Sequence, residues 1–191
     1  MLVKSHMHII KGVQMKKVLV LCLVALFMVG LSNAQTNKLK FGAGVYIGLP
    51  LGSFGDVTSI GFGGIVQAEM DLAPQIVGTA TAGYLSFSGK SVNGFKLGSW
   101  SVVPILVGGK YFFTPMIYGA VQIGLNFVSY SNTYTSPFTG KTYSASVSST
   151  EFGFNFGVGY EMKPIDFLVK YGTFGSSTGT LSLTALYKFT L

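Results

Sequence analysis

Seven charged side chains, Lys40, Glu69, Lys110, Glu151, Glu161, Lys170 and Lys188, are the groups of this sequence with the chemistry to move protons or hold ions. A carboxylate beside an amine can serve as an acid–base couple, and the same couple can equally be a structural ion pair. The rest of the repertoire is narrow. Beyond residue 34 there is no Cys, no His and no Arg. That removes imidazole acid–base chemistry, serine and cysteine triads, and His-ligated metal sites. Glu69, Glu151 and Glu161 would have to carry any catalysis alone. Pairing with lysine is the reading that suits polar groups in a low-dielectric interior. No catalytic, cofactor or metal site is expected, and the chain is not read as an enzyme. The formal charge of +7 overstates the basicity, because four of the thirteen lysines precede Gln35. The remaining nine lysines and six acids form no basic cluster, and without arginine nothing points to nucleic acid.

The seven charges must be positioned by strands, because apolar and polar residues alternate with period two along most of the chain after residue 38. Eight candidate strands follow: Leu39–Leu49, Ile60–Leu72, Ile76–Phe87, Ser99–Phe113, Ile117–Ser129, Glu151–Met162, Asp166–Thr173 and Leu181–Leu191. The sixth alternates most cleanly. Phe152, Phe154, Phe156, Val158, Tyr160 and Met162 oppose Glu151, Gly153, Asn155, Gly157, Gly159 and Glu161. The third carries small residues on both faces, so its phase stays open. In the fourth, Pro104 removes a backbone donor in mid-strand, which predicts a local bulge.

All seven charges lie on the polar face. None is on the apolar face, where a cation at mid-bilayer would cost roughly 2–4 kcal/mol. The polar face also carries Gly42, Gly44, Gly48, Gly61, Gly63, Gly153, Gly157 and Gly159. Glycine gains nothing on a solvated strand, but in a narrow lumen it makes room for large partners across the barrel. An internal Lys–Glu network is therefore expected, within which Glu161→Leu alone would orphan a buried lysine. Tight turns at 72–75, 114–115 and 163–165 alternate with longer Gly/Ser/Thr-rich connections around 50–59, 88–98, 130–148 and 172–179. Short turns at one end and long loops at the other are the pattern of a membrane barrel. Tyr111, Phe113, Tyr160, Tyr187 and Phe189 fall near the short-turn ends on the apolar face, as an interfacial girdle would.

The two ends of the sequence add to this. Lys16 and Lys17 precede an apolar run from Val18 to Leu31, and Ser32-Asn33-Ala34 offers a cleavage site before Gln35. Residues 1–14 read as an upstream extension, 15–34 as a cleavable signal peptide and 35–191 as the barrel domain. A lipid anchor at Cys22 is not expected, since Leu21 before it is too large.

Taken together, the leader, the eight strands and the terminal Tyr187-x-Phe189-x-Leu191 resemble the small outer-membrane β-barrels of Gram-negative bacteria, in the style of OmpX and the OmpA membrane domain. Ser-Asn-Ala-Gln at the leader end and the Lys-only basicity resemble Bacteroidetes proteins. The resemblance implies an all-β, eight-stranded antiparallel up-and-down transmembrane barrel in the cell outer membrane. It further implies outer-membrane lipid as its surroundings, and Tyr187, Phe189 and Leu191 as the insertion signal read by the barrel-assembly machinery. The leading expectation for function is a structural or surface-interaction role, with an extracellular ligand met by the loops 88–98 and 130–148. A narrow channel or conduit for small or hydrophobic molecules is the alternative. A soluble periplasmic lipocalin-like binder, with the faces inverted, is a second alternative.

Overall fold

Period-two alternation places successive side chains on opposite faces of a strand, and along the barrel wall those faces meet different media. The computed structural model describes residues 39–92, 95–135, 141–175 and 178–190. The expected extension (1–14), the leader (15–34) and Leu191 lie outside the described residues. In chain order the elements are β1 (Leu39–Leu51), α1 (Gly52–Val57), β2 (Thr58–Ala73), β3 (Ile76–Gly89), β4 (Ser91–Val92), β5 (Phe95–Lys96), β6 (Ser99–Phe112), β7 (Ile117–Thr135), β8 (Thr142–Met162), β9 (Ile165–Thr173) and β10 (Gly179–Thr190). β4 and β5 form a small hairpin of their own. The other eight strands close into an antiparallel barrel in the order β1-β10-β9-β8-β7-β6-β3-β2, with β1 paired to both β2 and β10.

The apolar set faces outward. On β8, Phe152, Phe154, Phe156, Val158, Tyr160 and Met162 are exposed, and on β10 Leu181, Leu183, Tyr187 and Phe189 are exposed while Ser182, Thr184 and Leu186 are buried. A continuous apolar outer surface around a polar, partly charged interior suits lipid outside, not water. The lipocalin-like alternative needs the opposite orientation and is overturned by this arrangement. The open phase of β3 is also settled: Val77, Thr79, Thr81, Leu85 and Phe87 point inward.

Two expectations are corrected. Pro104 causes no bulge. Ala82↔Ile105 and Leu85↔Val102 keep one register on either side of it, and Pro104 pairs with Asn126 on β7. The missing donor is absorbed by dropping the ladder pairs opposite Pro104 and Val103 on β3, while the register shifts fall between Thr58 and Gly61 and between Asp71 and Ala73. The segment 130–148 is largely not a loop either. β7 runs on to Thr135 and β8 begins at Thr142, paired continuously from Ile117↔Tyr160 to Thr135↔Thr142.

Strands in a closed barrel tilt, so a row of paired residues climbs as it passes around the wall. One outward row reads Val169, Leu183, Ile47, Phe62, Ser86, Ser101, Ser129 and Ser148 through direct pairs. Its switch from apolar to hydroxyl side chains is where the row leaves the apolar layer.

Candidate functional site: the filled lumen and the projecting hairpin

Inward-facing residues sort by height. Near the short-turn end, six strands contribute to one charged cluster. Lys110 (β6) lies 2.5 Å from both Glu69 (β2) and Asp166 (β9). Lys188 (β10) reaches Glu69 at 2.8 Å, Asp166 at 2.9 Å and Glu161 (β8) at 2.6 Å. Tyr118 (β7) donates its hydroxyl to Asp166 at 2.6 Å, and its ring lies under the Lys110 ammonium, 4.5 Å from the centroid. Two cations thus share three carboxylates, every member nearly sealed from solvent. At the rim, Lys40 pairs with the more exposed Asp71 at 2.8 Å.

Above this cluster runs a chain of side-chain hydrogen bonds, all pointing one way. Lys170 Nζ donates to Gln122 Oε1 (3.2 Å), Gln122 Nε2 to Thr81 Oγ1 (3.0 Å), Thr81 Oγ1 to Gln67 Oε1 (3.0 Å) and Gln67 Nε2 to Glu69 Oε1 (2.6 Å). A cation heads the chain and a carboxylate ends it, so each amide and hydroxyl dipole is aligned between opposite charges. This is how a buried lysine with no carboxylate contact among the described residues is accommodated.

The long-loop end is apolar. Tyr46, Ile65, Leu85, Phe87, Val102, Val128, Phe174 and Leu186 pack together inside the barrel, and α1 lowers Phe54 into their midst. Phe54 meets Phe87 and Trp100 edge-on, with centroids 5.3 and 5.6 Å apart, and Phe87 meets Phe174 in the same way at 5.7 Å. Thr58 Oγ1 donates to the Phe54 carbonyl at 2.6 Å, which ties the helix to the top of β2. Glycines make these large rings possible. A Cβ on Gly61 would overlap the Phe87 ring, and one on Gly159 would overlap the Tyr118 ring. Leu168 packs lower down with Tyr118 and Ala120, and beside Leu106 a gap of about 10 Å³ has room for about one water molecule.

Of the seven charges singled out by sequence, the structure brings Glu69, Lys110, Glu161 and Lys188 together. Lys40 stands at the rim and Lys170 one layer up. Glu151 sits half-buried beside Gly175 and makes no ion pair among the described residues. Asp166 and Tyr118 are the members that sequence reasoning left out. Both lie on the polar face by alternation, which was the available signal. Tyr187 and Phe189 point outward at the short-turn end, with Phe189 stacked on Phe41. Glu161 does not hold Lys188 alone, so Glu161→Leu leaves that lysine two carboxylates. The expectation of an orphaned lysine at that site is corrected.

No group of His, Cys, Asp and Glu suited to a metal ion occurs among the described residues. What stands clear of the barrel is the β7–β8 hairpin. β6 leaves β7 at Ser99↔Ser131 and β9 leaves β8 at Asn155↔Gly172, so the hairpin projects past both neighbours with Tyr143 to Thr150 exposed on both faces.

A closed eight-stranded barrel with lipid outside, charges inside and a filled lumen is a transmembrane barrel of the outer-membrane type. Solved structures agree in fold. The chain is similar to Ail, the attachment invasion locus protein of Yersinia pestis, at 12% identity over 80% of this chain and 97% of that one, with a TM-score of 0.53. Neisserial surface protein A is similar at 15% identity over 82% and 100%, TM-score 0.54. The N-terminal β-barrel domain of Pseudomonas aeruginosa OprF is similar at 12% identity over 81% and 100%, TM-score 0.52. No family model matches the sequence, and no curated protein matches it.

Proposed function

We propose that this chain is an integral outer-membrane protein, a small barrel in the style of OmpX and the OmpA membrane domain, that holds the β7–β8 hairpin out as a non-catalytic interaction surface. The observation that carries this is the hairpin's length beyond its neighbours. Along Ala145 to Thr150, β8 has β7 on one side and no paired strand on the other among the described residues. Such an edge offers backbone donors and acceptors to an incoming extended segment, and nothing from Ala145 to Thr150 blunts it with a charge or a proline. Of the two segments read as contact loops, 130–148 supplies this edge and 88–98 holds the β4–β5 hairpin. A barrel filled by packed side chains suits a stalk, and the small interior gap beside Leu106, about 10 Å³, does not favour a conduit there. In this reading, residues 15–34 direct export, and Tyr187 and Phe189 present the outward aromatics that assembly machinery reads.

The test is adhesion. Cells displaying the full chain are compared with cells displaying a variant in which 132–147 is replaced by a two-residue turn, on surfaces coated with extracellular-matrix protein or with heparin. Ail has been solved with a heparin analogue, which makes heparin a reasonable second coating. Adhesion is expected to fall with the hairpin removed. Equal adhesion by both, with both barrels folded, would sink the interaction reading.

A further inference from the structure

Above the apolar girdle, the face of β3, β6, β7 and β8 carries an ordered array of hydroxyls. Ser86 pairs with Ser101, Ser101 with Ser129 and Ser129 with Ser148, so four strands present serine in one row. A second row begins two residues higher with Ser99, Ser131 and Ser146, again direct partners. Strand and residue spacings make this a lattice of about 4.8 by about 6.8 Å, the scale of a sugar ring. Ser148 Oγ donates to Ser129 Oγ at 3.1 Å, and Tyr84 donates its hydroxyl to Ser101 Oγ at 3.0 Å.

The array is recessed. A trough of about 470 Å³ on this outer face is lined by Tyr84, Ser101, Val103, Phe127, Ser129 and Ser148, continuing to Ser149 and Thr150, with no charged side chain in its wall. Directly below come Ile105, Leu125 and Phe152, one paired row, and below these Val107, Ile123 and Phe154, all outward and exposed. A ligand lying along this face therefore meets two apolar rows, then an aromatic and β-branched border, then uncharged hydroxyls. Water alone does not call for that design. A solvated strand end ordinarily carries lysine or glutamate to discourage edge and face association, and none stands in these rows.

We propose that this trough is a binding site for a membrane lipid with an uncharged sugar headgroup. Its acyl chains lie on Ile105, Leu125 and Phe152, and its sugar exchanges hydrogen bonds with Ser101, Ser129 and Ser148 while resting against Tyr84. The lipid, not a free glycan, is the occupant, because the trough opens sideways from the barrel wall and is continuous with the apolar face beneath it. A phosphate-bearing head is disfavoured, because no lysine lines the trough among the described residues. The trough shares Ser148 to Thr150 with the free edge of β8, but its test changes only Ser101 and Ser129 on β6 and β7, so the two proposals fail separately.

The experiment uses the full-length chain in nanodiscs of phosphatidylcholine containing, in separate samples, monogalactosyldiacylglycerol, phosphatidylglycerol or dissolved galactose. Lipid retained by the released barrel is read by native mass spectrometry. Galactolipid is expected to be retained several-fold over phosphatidylcholine, and Ser101→Val with Ser129→Val is expected to abolish the preference. Ser101→Thr with Ser129→Thr keeps the hydroxyls and should keep the lipid, which separates loss of binding from loss of fold. Equal retention of all lipids, a preference for phosphatidylglycerol, or an unchanged preference in the valine variant would overturn the proposal. Competition by dissolved galactose as strong as by the lipid would overturn the lipid assignment.

Discussion

Lys188 and Glu161 are joined by a 2.6 Å contact, yet removing one is not equivalent to removing the other. Lys188→Leu leaves Lys110 alone against the buried Glu69, Asp166 and Glu161, which should cost about 3–5 kcal/mol. Glu161→Leu leaves two lysines on two carboxylates and should cost well under half of that. Urea unfolding in detergent micelles measures both, and an equal loss would contradict the shared-carboxylate geometry. These charges were legible in the sequence because period two assigns each side chain to a face. Their partners were not, since alternation gives the face and not the height. Asp166 follows a turn, next to Pro164-Ile165, where nothing in the spacing says that it reaches the centre. The oriented chain from Lys170 to Glu69 was out of reach for the same reason. It links β9, β7, β3 and β2, and β3 was the strand whose phase could not be read.

At the scale of strands, the glycines of the inner face decide how closely opposite walls can be filled. Gly159→Ala drives a methyl into the Tyr118 ring, and overpacking of that kind costs typically about 1–3 kcal/mol. Gly109→Ala is the comparison. A Cβ there meets nothing nearer than the Val77 carbonyl oxygen at 3.5 Å, so stability should hold or rise slightly. Unfolding midpoints of the two variants check this, and similar losses would mean that the Tyr118 fit is not what fixes residue 159. The strands themselves were readable wherever lipid and lumen supply contrast. They ceased to be readable from Tyr130 onward and before Ser148, where Tyr143 to Thr150 are exposed on both faces and no contrast is written into the sequence. Pro104 misled for a different reason. One missing donor was read as a change of register, whereas the ladder skips the pairs opposite Pro104 and Val103 and resumes in step.

For the whole molecule, the interior is stoppered twice, by aromatic rings under α1 and by ion pairs near the short turns. A planar bilayer holding the purified barrel should show no steady conductance at neutral pH. Phe54→Ala should remain closed, because the Lys170–Gln122 layer and the charged cluster lie beneath the aromatic one. A stable open level in the native barrel would contradict a filled lumen. The charged cluster also carries information about assembly. Glu69 belongs to β2 and Lys188 to β10, 119 residues later in the chain. Complete, the cluster sets two cations against three carboxylates; before β10 is in place, Lys110 alone faces Glu69, Asp166 and Glu161. A partly built barrel that entered lipid would bring bare carboxylates with it, so the interior works as a checksum on completion and discourages any unfinished form from settling in the membrane.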